Sequence, residues 1–212
     1  GTDGVWLKTK RITHLNLTPG NVSDELPSLL ANLFPNIHTL ILKNDKHLAL
    51  NERFMFPLLE ILQSQLTTLS LDILLFSKQV PVLSYRLNAM SSLKNLSLSW
   101  TLEGNVQSVP TTTTFEPILR RLERITLYLP GKSTQLDAIP HIGPKCTHLR
   151  LAIGPSKSLS KVSDWARLNP SLLGQLTHLH LSDIYSAHEF TLICKHATSL
   201  QMLFVSFNDD DE

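Results

Sequence analysis

The chain has 212 residues, with 19 Lys and Arg against 18 Asp and Glu, and that balance excludes a general nucleic-acid binder, which needs a strongly basic face. Apolar residues make up 42% and charged residues 17%, which suits a continuous core and excludes a disordered chain. Two cysteines, Cys146 and Cys194, make no disulfide scaffold, and no apolar run is long enough to span a membrane.

The chain starts Gly-Thr-Asp, without Met and without a secretory signal, so an excised fragment is expected. Val5-Trp-Leu7 reads as an entry strand, and Lys8, Lys10 and Arg11 as a solvated cluster. Ile12-Thr-His-Leu-Asn-Leu17 then opens a pattern of apolar, two polar, apolar, polar, apolar. The pattern returns from Ile37, Leu66, Leu93, Leu122, Cys146, Leu176 and Leu200, at intervals of 25, 29, 27, 29, 24, 30 and 24 residues. One such hexamer is common by chance; eight in near-regular register mark a repeat protein.

Between hexamers lie helical connectors. Ser23-Asp-Glu25 reads as a cap for a helix from Leu26 to Phe34. Asn51-Glu52 opens an apolar run through Met55, Leu58, Leu59 and Leu62, which Pro57 should confine to its first turns. Gln79 to Met90 is the next helix, followed by a Thr111–Thr114 loop and a short helix from Phe115 to Leu122. Ala138 to Ile142 is one turn at most. Ser163-Asp164 should cap Trp165–Leu168, with Pro170 separating off Ser171-Leu-Leu, and Ser186 precedes a helix from His188 to Ala197. Trp100–Thr114 and Pro130–Gln135 are the longest polar loops, positioned to form a rim. The tail Asn208–Glu212 is acidic and lacks the alternating ligands of a calcium loop. The sequons at Asn16, Asn21 and Asn95 are close to chance expectation and are not read as glycosylation.

Apolar-polar-apolar at the end of each hexamer is a short strand with one buried face. About twenty residues between strands allow a parallel return through a helix, with a right-handed crossover. No unit buries its apolar face alone, so neighbours must stack. Cys146 stands at a hexamer leucine position and Cys194 in the apolar run Phe190–Cys194; both are expected to be buried.

The hexamer, Leu-x-x-Leu-x-Leu in general form, resembles the leucine-rich repeat family over residues 12–207. The resemblance implies an α/β right-handed solenoid of about eight repeats, a single domain over residues 1–212 with 208–212 as a tail. Parallel strands would line the concave face and short helices the convex face. The family's usual Asn or Cys three positions past the hexamer is absent from seven of eight copies: Gly20, Asp45, Leu74, Thr101, Pro130, Gly154 and Ile184 precede Asn208. Irregular turns are therefore expected. The spacing resembles the intracellular ribonuclease-inhibitor-like and F-box-associated subtypes. Phe34-Pro-Asn-Ile37 is similar to the Cys-Pro-Asn-Leu entry of the latter, and Met90, Leu119, Leu173 and Ala197 hold the entry position where Gln63 and Gly143 do not.

Alternation sends the third and fifth hexamer positions, and the residue after, to the open face. Eight strands at about 4.8 Å would make an arc of roughly 35 Å, the size of a protein-recognition surface. From Thr68 to Ser99 that face is small and hydroxylated. The later strands bring Arg124, Tyr128, His148, Arg150, His178 and His180 together, extended by Met202 and Phe204. Arg and aromatic residues are common interface anchors, so these eight are the candidate partner-binding residues. Scattered polar residues must occupy such positions in any case, so the bland alternative is an ordinary solvated face.

Three His can hold zinc, but His178 and His180 stand about 7 Å apart beside the repelling Arg150, so no metal and no cofactor is expected. Ser182 and Asp183 near His180 invite a hydrolase reading, but adjacent strand residues point to opposite faces, and no Gly-x-Ser-x-Gly elbow occurs. No catalysis is expected. The reading is protein recognition, with an acidic or phosphorylated partner segment, in the cytoplasm or nucleus. The resemblance implies substrate recognition for an F-box-type ubiquitin ligase, with a Skp1-type adaptor if an F-box precedes these residues. The alternatives are a stand-alone scaffold of the ribonuclease-inhibitor type and an extracellular recognition domain.

Overall fold

The computed structural model describes residues 11–18, 23–43, 52–76, 79–103, 112–129, 142–153, 170–184 and 187–207. The expected Val5–Leu7 strand, the Pro130–Gln135 loop, the Ala138 turn up to residue 141, the Ser163–Asp164 cap and its helix, and the acidic tail lie outside them. The chain divides into two compact units, residues 1–106 and 107–212.

The first unit runs β1 (His14–Leu17), α1 (Leu26–Leu33), β2 (Thr39–Lys43), α2 (Glu52–Leu62), β3 (Thr68–Phe76), α3 (Val80–Ala89), β4 (Asn95–Glu103). The second runs α4 (Thr112–Leu119), β5 (Arg124–Leu129), β6 (His148–Ile153), α5 (Pro170–Gln175), β7 (His178–Ile184), α6 (Ala187–His196), β8 (Met202–Phe207). The fold is α/β: parallel strands in sequence order, alternating with helices, four strands to each unit. Every strand begins at the third hexamer position, so equal positions pair: Leu40 with Leu69, Leu69 with Leu96, Leu149 with Leu179.

That register stacks the leucines. Leu40, Leu69 and Leu96 in the first unit and Ile125, Leu149 and Leu179 in the second are at most 2% exposed. The first hexamer residues Leu66, Leu122, Cys146 and Leu176 are fully covered. Each such side chain contributes about 1.5–3 kcal/mol by leaving water. The outermost strands are less covered, with Leu15, Leu17, Leu203 and Val205 only half-buried.

A backbone ladder joins the repeats at the entry of their strands. In each unit the carbonyl at the second hexamer position accepts two successive N–H groups from the next repeat. Thr13 takes His38 and Thr39, His38 takes Thr67 and Thr68, and Thr147 takes Thr177 and His178, at 2.9–3.1 Å. Threonine hydroxyls reinforce it, Thr67 Oγ1 donating to the His38 carbonyl at 3.2 Å and Thr177 Oγ1 to the Thr147 carbonyl at 3.1 Å. Three of the expected turn positions are strand instead: Leu74, Thr101 and Ile184 lie within β3, β4 and β7.

Several expectations are corrected. Trp100–Glu103 continue β4 and Thr112–Thr114 start α4, so these parts of the expected Trp100–Thr114 loop are strand and helix; residues 104–111 lie outside the described residues. Pro57 lies inside an unbroken α2. The hydrogen bond it removes is outweighed by burial of Phe54, Met55, Phe56, Leu58, Leu59 and Leu62 on that helix. Ser23 does not cap α1: its Oγ accepts the Glu25 N–H at 3.2 Å, Glu25 holds the N-cap position, and Pro27 sits in the first turn. Cys146 is buried, but Cys194 is exposed. Ile193 takes the covered face of α6, and the next residue lies about 100° round the helix.

Candidate functional site

The open positions of β5 to β8 form two rows. Arg124 pairs with His148, His148 with His178, and His178 with Met202. One step on, Thr126 pairs with Arg150, Arg150 with His180, and His180 with Phe204. From its arginine onward, at β5 in one row and β6 in the other, each row runs from cationic to imidazole to apolar. The cause is the period-two alternation of each strand combined with an unshifted register.

The rows enclose a depression of about 280 Å³, lined by Arg124, Thr126, His148, Arg150, His178, His180, Met202 and Phe204 among others. Seven of the eight residues singled out from sequence therefore share one surface. Tyr128 is not part of the lining, but the Arg150 guanidinium carbon lies 5.3 Å from its ring centre, a cation–π contact that holds the arginine. The His148 and His178 rings stack at 4.0 Å and 12°. His180 and Phe204 meet at 5.6 Å, tilted 35°. Met202 is 45% and Phe204 55% exposed, two large apolar side chains open to water at alternate, same-face positions of one strand.

Threonines fix the imidazoles. Thr177 Oγ1 donates its one proton to the Thr147 carbonyl and so must accept from His178 Nδ1, 3.0 Å away. Thr147 Oγ1 likewise approaches the Glu123 carbonyl at 3.5 Å and His148 Nδ1 at 2.9 Å. Neutral His178, and by the same pattern His148, then carries its proton on Nδ1, leaving Nε2 as an acceptor. Burial lowers the His148 pKa below the usual imidazole value, and His178 and Arg124 lower it further. Burial, then Arg150, lowers that of His180. Both rings are mainly neutral at pH 7.

The permanent positive charge of this surface is that of Arg124 and Arg150. Among the described residues neither has a carboxylate partner, whereas Arg86 pairs with Glu60 at 2.8 Å and Arg120 with Glu116. Among the described residues no group of three or more His, Cys, Asp or Glu is placed to hold a metal ion.

Thr147 and Thr177 are the residues that sequence reasoning missed. Their signal was present: Thr-His recurs at residues 13–14, 147–148 and 177–178, and each Thr Oγ1 lies 2.8–3.0 Å from the Nδ1 of the following His.

No family model matches the chain, and no curated protein does. Among solved structures it is similar to the actin-binding site 2 of leiomodin-1, at 11% identity and a TM-score of 0.39, over 93% of this chain and 85% of that one. A likeness so distant says nothing about what this chain binds.

Proposed function

We propose that the chain is a protein-recognition module that engages its partner through the open strand face of residues 107–212. One observation carries the reading: two arginines with no carboxylate partner among the described residues share a surface with exposed Met202 and Phe204. At about 280 Å³ the depression is small for a metabolite site, and Arg with aromatic residues is the composition of an interface core. Binding is the whole of the proposed activity, with no catalysis and no cofactor. The narrower role, substrate recognition for an F-box-type ubiquitin ligase adaptor in the cytoplasm or nucleus, is supported only by the resemblance of the repeat spacing and of the strand-entry positions, Phe34-Pro-Asn-Ile37 foremost.

The test is to capture a partner from cell lysate and titrate the purified partner against variants. Arg150→Ala should weaken it about tenfold or more, since a charge-assisted hydrogen bond is worth about 1.5–3 kcal/mol. Lys43→Ala, on a β2 position facing Asp72 in register, should leave it unchanged. Equal affinity of both variants and the parent chain overturns the reading.

A further inference from the structure

We propose that this face reads an extended segment in which a carboxylate side chain and an apolar side chain stand four residues apart, on the same side of the segment. The segment lies across the strands, with the carboxylate over β5 and β6 and the apolar side chain over β8. The proposal rests on the protein-recognition reading and gives that partner its chemistry.

The polarity of the two rows is the reason. Arg124 and Arg150 stand at one end, Met202 and Phe204 at the other, with imidazoles between. The Arg150 guanidinium is held over Tyr128 of β5, three strand spacings from Phe204 on β8, about 14 Å; an extended chain rises about 3.3 Å per residue and returns every second side chain to the same side, so residues four apart span about 13 Å and face the sheet together. Phe204 is 55% exposed with one edge against His180, so an apolar partner group covers its open face and removes water from both.

A carboxylate fits better than a phosphate. Phosphate sites gather several donors on one point. Here Arg150 is held over Tyr128, while Arg124 lies in the other row beside His148. Each guanidinium thus offers a separate fork, matched by one carboxylate.

The experiment titrates capped peptides into the full chain, followed by backbone amide NMR shifts. The probe is Glu-Ser-Ser-Ser-Phe within a Gly-Ser frame. Controls place Gln for Glu, Ala for Phe, Glu and Phe as neighbours, or phosphoserine for Glu. The probe should shift β5 to β8 amides, and each control should bind at least about fivefold more weakly, the loss of one good contact. In Phe204→Ala the Phe-to-Ala change in the peptide should have no further effect. In Arg150→Ala the Glu-to-Gln change should have none.

Equal binding of the spaced and neighbouring peptides, or additive losses in both cycles, overturns the proposal. A phosphoserine peptide about tenfold tighter than the probe overturns the choice of carboxylate. If no peptide shifts the face while a captured partner still loses affinity in Arg150→Ala, this inference fails and the recognition reading stands. If the captured partner is indifferent too, both fail.

Discussion

In the first unit the open positions of β2, β3 and β4 carry Thr39, Ile41, Lys43, Thr68, Ser70, Asp72, Asn95, Ser97 and Ser99. One side-chain bond joins them, Asn95 Nδ2 donating to Thr68 Oγ1 at 2.9 Å, and Lys43 stands opposite Asp72 in register. In the second unit the same positions hold Arg124, His148, Arg150, His178, His180, Met202 and Phe204. Two cations there lack a carboxylate among the described residues, and two large apolar groups remain exposed. The leucine faces behind them are equivalent, each strand pair stacking apolar residues at the same two positions. The backbone grammar is thus indifferent to what its open face presents, and function is written only in the positions that stability leaves free.

The largest effect should come from testing that equivalence directly. Leu96 and Leu179 hold the same hexamer position in the two units, each at most 2% exposed. Leu→Ala at either should cost about 2–5 kcal/mol, read from chemical denaturation of each variant. Losses that differ by several-fold would mean that the two leucine faces are not alike. A loss below about 0.5 kcal/mol at either site would mean that it is not a core position at all.

That much of the fold was legible because alternation and spacing are properties of the residues themselves. The hexamers placed all eight strands, and the open-face positions followed without further information. The ends of elements were not legible. Pro57 reads as a helix stop, yet a helix with six buried apolar residues tolerates it, because tertiary burial exceeds one lost hydrogen bond. Cys194 reads as buried because its neighbours are apolar, but burial on a helix depends on angle and not on neighbours. Of the site, sequence yielded its residues and not its organisation. The stacking of His148 on His178 and the clamping of Arg150 by Tyr128 depend on side-chain conformation across strands, which no local pattern encodes.

A second, smaller effect concerns how the two units enter their strands. Met90 and Leu119 fill the entry position with a covered side chain, but Gly143 holds it before β6. A Cβ there would fall 2.0 Å from the Arg120 carbonyl oxygen, because the backbone itself comes close enough for Gly143 N–H to reach the Leu119 carbonyl at 3.2 Å. Gly143→Ala should therefore destabilise by about 1–3 kcal/mol, as overpacking does. Gly174→Ala is the contrast. It lies within α5, the nearest atom to its Cβ is 3.7 Å away, and helix propensity should stabilise it by up to about 1 kcal/mol. Thermal melts of the two variants should move in opposite directions. Shifts of the same sign would mean that the close approach at Gly143 is not what sets its identity.

The smallest effect separates the faces by pH. His148 and His180 belong to the second unit, and both have folded-state pKa values below the ordinary imidazole value. The unfolded chain therefore takes up protons first as pH falls through about 6.5, and linkage makes stability decrease with it. The contribution is complete above the unfolded pKa and is lost as pH falls through the folded values. Denaturation midpoints measured from pH 7.5 down to 5.5 should fall more steeply for the parent chain than for a His148→Gln, His180→Gln double variant. Salt then sorts the causes. Burial is the leading cause at both rings, ahead of His178 and Arg124 at one and Arg150 at the other. Salt screens the charges over roughly 8–10 Å but leaves the cost of burial in place. Raising the salt concentration should therefore reduce the extra slope without abolishing it. If the slope vanishes at high salt, the arginines set the histidine chemistry and burial does not. If the double variant keeps the full slope, these rings do not titrate as a unit distinct from the rest of the chain.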